Sequence, residues 1–217
     1  MSRLLPAGPI RSLMMVAVVA TAGLAAPAEV EAFNNQQAAS FLSNLQETAA
    51  AQLGDTSASD QQKEERFRKL FNESFDVPAI GRFVVGRYWR GASEADRAAF
   101  LEVFEDVMVQ RFLPLLSENS DERFQIGTVT PDSRNPDMAI IASQIPRAEG
   151  EPYKVGWRIR EKGDQYRILD IVAEGVSMVI TLRSEYATVL KRSGGKISEL
   201  TAALREKISG GAFAPPQ

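Results

Sequence analysis

The chain has 217 residues, with 25 Lys and Arg against 28 Asp and Glu, for a net charge of −3 at pH 7. That balance gives no global attraction to nucleic acid or to an anionic bilayer. His and Cys are both absent, which excludes disulfides, lipid anchoring through Cys, thiol nucleophiles, Ser-His-Asp triads and the usual zinc ligands.

Arg3 and Arg11 flank an apolar run from Leu13 to Ala26, and the small residues Ala25, Ala26 and Ala28 follow. Charge, apolar core and small-residue exit, in that order, predict a cleavable signal peptide over 1–32, cut between 26 and 32. The run is shorter than the roughly 20 residues a membrane span needs, and Pro27 and Glu29 end it. Cleavage after Ala32 removes Arg3, Arg11, Glu29 and Glu31, so the net charge is unchanged. The remainder suits a single domain over 33–209, with a flexible tail over 210–217.

Phe41, Leu42, Leu45, Ala49 and Leu53 recur at helical spacing. Gly54-Asp55 breaks that helix. A second is expected from Ser59 to Ser74, with Phe67, Leu70, Phe71 and Ser74 on one face. Asp76 can cap a short third helix with Pro78 in its first turn; Gly86 either terminates it or sits inside a longer bent helix. Ser93 and Asp96 resemble a capping box that opens a long helix to about Leu116, whose stripe includes Phe100, Phe104, Met108 and Phe112.

The period then changes. Phe124 to Val129 and Met138 to Ile145 read as strands joined by a turn at Arg134-Asn135-Pro136-Asp137. Tyr153, Val155, Trp157 and Ile159 alternate with Lys154, Gly156, Arg158 and Arg160, which gives a strand with one dry and one wet face. A turn at Lys162-Gly163-Asp164 leads into a strand from Gln165 to Ala173. Helical spacing returns from Met178 to Leu190 and, after Gly194-Gly195, from Ile197 to Ile208. The expected fold is therefore α+β, a four-stranded antiparallel sheet packed on one face against several helices.

No catalytic constellation is present. Glu102, Glu105 and Asp106 read as a solvated helix face. No phosphate-cradling loop and no calcium-loop spacing occurs, and no enzyme activity or cofactor is expected. The chain does offer many aromatic residues, among them Phe71, Phe75, Phe83, Tyr88, Phe104, Phe112 and Trp157. Such residues build either a filled core or an apolar cavity, and periodicity does not separate the two.

The segment Phe75-Asp76-Val77-Pro78-Ala79-Ile80-Gly81-Arg82-Phe83-Val84-Val85-Gly86-Arg87-Tyr88-Trp89-Arg90 resembles the toluene-tolerance, or MlaC, family. So do Phe100-Leu101-Glu102-Val103-Phe104, Val155-Gly156-Trp157-Arg158, Asp170 through Met178, and Arg183-Ser184-Glu185-Tyr186. The resemblance covers roughly residues 35 to 208.

It implies a soluble periplasmic phospholipid carrier, with bound phospholipid as cargo. Such a carrier shuttles lipid between an outer-membrane lipoprotein complex and an inner-membrane ABC transporter complex with its MCE-domain protein, and so maintains outer-membrane lipid asymmetry. A hopanoid-linked branch keeps the same pattern, and a ligand-free envelope scaffold is a further alternative. On this reading an apolar lipid cavity lies between the sheet and the helices. Its expected lining is Phe83, Val84, Tyr88, Phe104, Met108 and Phe112 from the first helices, and Ile141, Val155, Trp157, Ile159 and Ile171 from the sheet. Met178, Leu182 and Tyr186 complete it from the following helix. Glu174-Gly175 is either a turn or a contact to a partner or head group. Arg82, Arg87 and Arg90 form either a solvated face or a surface that meets lipid phosphate or an acidic partner.

Overall fold

A computed structural model of the chain describes residues 33–118, 122–147 and 149–213. The expected signal peptide over 1–32 and the tail residues 214–217 lie outside the described residues.

Among the described residues, six α-helices and one antiparallel sheet follow one another. Helix α1 spans Asn35–Leu53, and the Asn34 side chain accepts from the Gln37 N–H at 3.0 Å. Helix α2 spans Asp60–Ser74; Ser59 and Gln62 form a reciprocal capping box, satisfying two N–H groups that a helix start leaves orphaned. Helix α3 spans Val77–Val85, capped by Asp76, whose Oδ1 accepts from Ala79 N–H at 3.0 Å. Gly86 ends it at φ +59°, a conformation that costs glycine little. A 3₁₀ helix over Gly86–Gly91 follows, which periodicity did not reveal.

Helix α4 spans Glu94–Glu118. Ser93 caps it by accepting from Asp96 N–H at 3.1 Å, while its hydroxyl donates to the Asp96 carboxylate at 2.7 Å. Asp in place of the longer Glu thus engages the cap's side chain. The acids of α4 do more than meet solvent. Asp106 binds Arg68 of α2 at 2.7 Å, and Glu105 accepts from Asn72 at 3.0 Å, which ties α2 along α4.

Strands β1 (Gln125–Pro131), β2 (Met138–Ile145), β3 (Tyr153–Lys162) and β4 (Gln165–Ala173) form the expected meander. The four-stranded expectation is short by one strand. A two-residue strand, β5 (Val176–Ser177), pairs back on β4. Glu174 and Gly175 make this possible, with φ +49° and +80°, the doubly positive geometry of a tight hairpin turn. The chain then enters α5 (Met178–Arg192) and α6 (Ile197–Ser209). Asp170 fixes that exit: it is buried on β4 and accepts from Ser177 Oγ at 2.6 Å and Val179 N–H at 3.1 Å.

The apolar interior is divided. One cluster joins α2 to α6 through residues such as Phe67, Phe71, Phe100, Phe104, Leu182 and Tyr186. A second joins α1 to the sheet through Leu42, Ile141, Ile159, Tyr166 and Ile168. Phe75 packs against both. Its backbone lies beside Ile168 as an isolated parallel bridge, and Asp76 N–H donates to Ile168 O at 3.0 Å. Of the last residues, Phe213 packs on the helical cluster, with the Arg111 guanidinium 4.7 Å from its ring centre.

Candidate functional site

A cavity of about 160 Å³ opens along the seam between the two clusters. Leu45, Ala49, Phe67, Phe71, Met108 and Phe112 line its helical wall, and Phe124, Trp157 and Ile171 line its sheet wall. Phe75, Leu70, Leu116 and Met178 close the remaining sides, and Gln46 is the single polar side chain among the described residues of the lining.

Each wall follows from local sequence. Residues four apart on a helix share a face, so Leu45 with Ala49, Phe67 with Phe71, and Met108 with Phe112 project together. On α2 the rings of Phe67 and Phe71 stack at 5.9 Å with 10° between planes, and Phe75 continues the row at 4.8 Å from Phe71. Across the cavity, Phe124 and Trp157 pair at 5.2 Å.

Two polar atoms of the walls are already bonded. Gln46 Oε1 accepts from Phe124 N–H at 2.6 Å. Trp157 donates its indole N–H to Ser143 Oγ at 2.9 Å, and that hydroxyl donates to Val155 O at 3.2 Å. Among the described residues no titratable side chain lines the cavity, so these walls offer hydrocarbon contact.

Five of the fourteen residues singled out from the sequence line this cavity: Met108, Phe112, Trp157, Ile171 and Met178. Val84, Phe104, Leu182 and Tyr186 lie in the helical cluster, with Tyr88 partly buried against it. Ile141 and Ile159 lie in the sheet cluster, and Val155 is buried on β3, paired with Ser143 across the strands. Phe83 is exposed, under the Arg183 guanidinium in a separate groove. Leu45, Ala49, Phe67, Leu70, Phe71, Phe75, Leu116 and Phe124 line the cavity without having been singled out for it. Helical spacing placed most of them on a buried face; it carried no signal for which buried face meets the seam.

Burial pushes the Tyr186 phenol above its ordinary range, an effect the Arg111 charge opposes and Glu185 reinforces. The hydroxyl is buried with no hydrogen-bond partner. Among the described residues, no cluster of three or more His, Cys, Asp or Glu could hold a metal ion, and no helix is long and apolar enough to cross a membrane.

The sequence model described as "MlaC protein" matches residues 33–206. The chain belongs to the MlaC family. It is 24% identical over 131 residues to the intermembrane phospholipid transport system binding protein MlaC of Haemophilus influenzae. That match covers 59% of this chain, and the chain spans 60% of the length of the curated relative. In three dimensions it is similar to a phospholipid-binding protein from Ralstonia solanacearum solved with a phospholipid. The TM-score is 0.71 at 14% identity, covering 81% of this chain and 98% of the other, a likeness of fold.

Proposed function

We propose that this chain is a soluble periplasmic carrier of phospholipid, with the seam cavity as the acyl-chain site. The observation that carries the reading is the cavity's lining, in which, among the described residues, every side chain but Gln46 is apolar and Gln46 Oε1 already accepts a hydrogen bond. Removing hydrocarbon from water yields about 0.8 kcal/mol per methylene, so a lipid chain gains most where no polar group must be desolvated with it. Met108, Phe112, Trp157, Ile171 and Met178, with Phe67, Phe71 and Phe75, line the chain, while the head group stays in solvent. The Haemophilus relative's name and the phospholipid in the Ralstonia protein support the same cargo.

The cavity's about 160 Å³ is close to the roughly 150 Å³ of an engineered apolar hole that admits benzene, and below the roughly 300–1,000 Å³ of drug-sized ligand sites. A phospholipid therefore enters only as the two clusters part, with the Phe75–Ile168 bridge holding them at one side. In this reading the leader over 1–32 delivers the chain to the periplasm. There it exchanges lipid with an outer-membrane lipoprotein complex and an inner-membrane ABC transporter complex carrying an MCE domain. Mixing the purified protein with vesicles of fluorescent phospholipid tests the proposal. Transfer of label to the protein is expected; protein that takes up none from any vesicle composition contradicts it.

A further inference from the structure

Strand alternation puts Arg158 and Arg160 on the face of β3 opposite Trp157, away from the cavity. That outer face borders two adjoining depressions of about 310 and 840 Å³, which share Ala79, Phe83 and Arg160. Six arginines line them: Arg82, Arg87, Arg90, Arg158, Arg160 and Arg183. The one carboxylate among the described residues of either wall, Asp170, is buried and occupied by Ser177 Oγ and Val179 N–H at the start of α5. In a chain of net charge −3, this is a local inversion of sign.

Little within the chain neutralises it. Among the described residues, Arg82, Arg87, Arg90 and Arg183 form no ion pair, and Arg158 forms no close one, its charge acting on Asp132 only at longer range. Arg160 reaches Asp76 and Asp137 only at 3.6 Å each, and its buried Nε has no hydrogen-bond partner. Apolar surface sits among the charges. Phe83 is 42% exposed and Ile180 59%, and Arg183 lies 4.9 Å over the Phe83 ring.

We infer that this groove is a docking site for an acidic protein segment, one that presents Asp or Glu carboxylates around an apolar side chain. Guanidinium forks match carboxylates two bonds at a time. Exposed Phe83 and Ile180 call for an apolar partner atom that free phosphate lacks. The arginines line a concave wall, which a flat bilayer surface does not follow, and arginine with exposed aromatic surface is the composition of protein-binding hot spots. The inference goes beyond the carrier reading: the groove lies on the other side of the sheet from the cavity and needs no cargo.

The test is a titration of the full, isotope-labelled protein, followed by amide chemical shifts, with a short peptide of Glu, Asp and Leu. A Lys-for-acid peptide and phosphatidylglycerol vesicles serve as parallel probes. The acidic peptide is expected to shift amides around Phe83, Arg160 and Ile180, to bind more weakly as salt rises, and to lose about tenfold or more in affinity on R82E/R183E. Both arginines are exposed, so that variant keeps its fold, and its lipid uptake matches the parent's. Peptide binding that is absent, that ignores the substitutions, or that is outcompeted at these amides by the vesicles would overturn the inference. Loss of lipid uptake in the parent protein would leave it standing and count against the cavity instead.

Discussion

Trp157 and Ser143 are joined by a 2.9 Å hydrogen bond from the indole N–H to the hydroxyl, between neighbouring strands on the cavity side of the sheet. The bond lets a residue with a polar edge present only ring carbon to the cavity. Removing the acceptor leaves a partly buried N–H unsatisfied, so Ser143→Ala should cost about 1–3 kcal/mol. Urea unfolding of S143A, W157F and the double variant checks this. The double variant should lose less than the sum of the singles.

Filling the seam should close the site without unfolding the protein. Ala49 faces the cavity from α1, and Ala49→Phe places a ring in that space. Excluding even two methylenes of a lipid chain removes about 1.6 kcal/mol, more than tenfold in affinity. Vesicle uptake should fall at least that far while the urea midpoint is held or raised. Undiminished uptake would mean that the chain binds elsewhere.

Tyr186 supplies a prediction of opposite sign. Its hydroxyl is buried without a partner, so the fold bears that group's desolvation with no bond in return. Tyr186→Phe should leave stability unchanged or raise it by about 1 kcal/mol, read from urea unfolding. A loss of that size would reveal a bond to the hydroxyl.

Acid sensitivity should trace in part to Asp55, in the turn between α1 and α2. Its carboxylate accepts from Ser57 Oγ at 2.6 Å, Arg66 at 3.0 Å and Ser57 N–H at 2.9 Å. These bonds hold its pKa below the ordinary 3.8, at about 2. The folded value is the lower one, so the carboxylate stabilises the fold above pH 3.8 and loses that contribution as pH falls toward 2. Asp55→Asn should flatten the stability profile within that window and leave its slope at higher pH unchanged, measured by thermal unfolding across the series.

Much of this architecture was legible because local chemistry dictates it. Asp76 with Pro78, Ser93 with Asp96, and the alternation from Val155 to Arg160 each satisfy backbone groups or sort faces within a few residues. The fifth strand was not legible: two residues carry no period, and the turn that makes it needs Glu174, a non-glycine, at positive φ. The cavity was legible in kind but only partly in membership. Phe104 and Met108 share one stripe of α4 and are both fully buried, yet only Met108 reaches the seam. Which stretch of a buried stripe meets a gap is set by how distant elements pack, and that leaves no mark in spacing. The arginine groove shows the same limit, since Arg82 and Arg158 are brought together only by the fold.

The central claim is that the seam holds lipid hydrocarbon. The most direct measurement is mass spectrometry of lipid extracted from the protein purified from its native cells, beside A49F handled identically. The account predicts phospholipid with the parent protein and a large depletion with A49F. A parent protein carrying no lipid, or an A49F variant carrying as much as the parent, would contradict it.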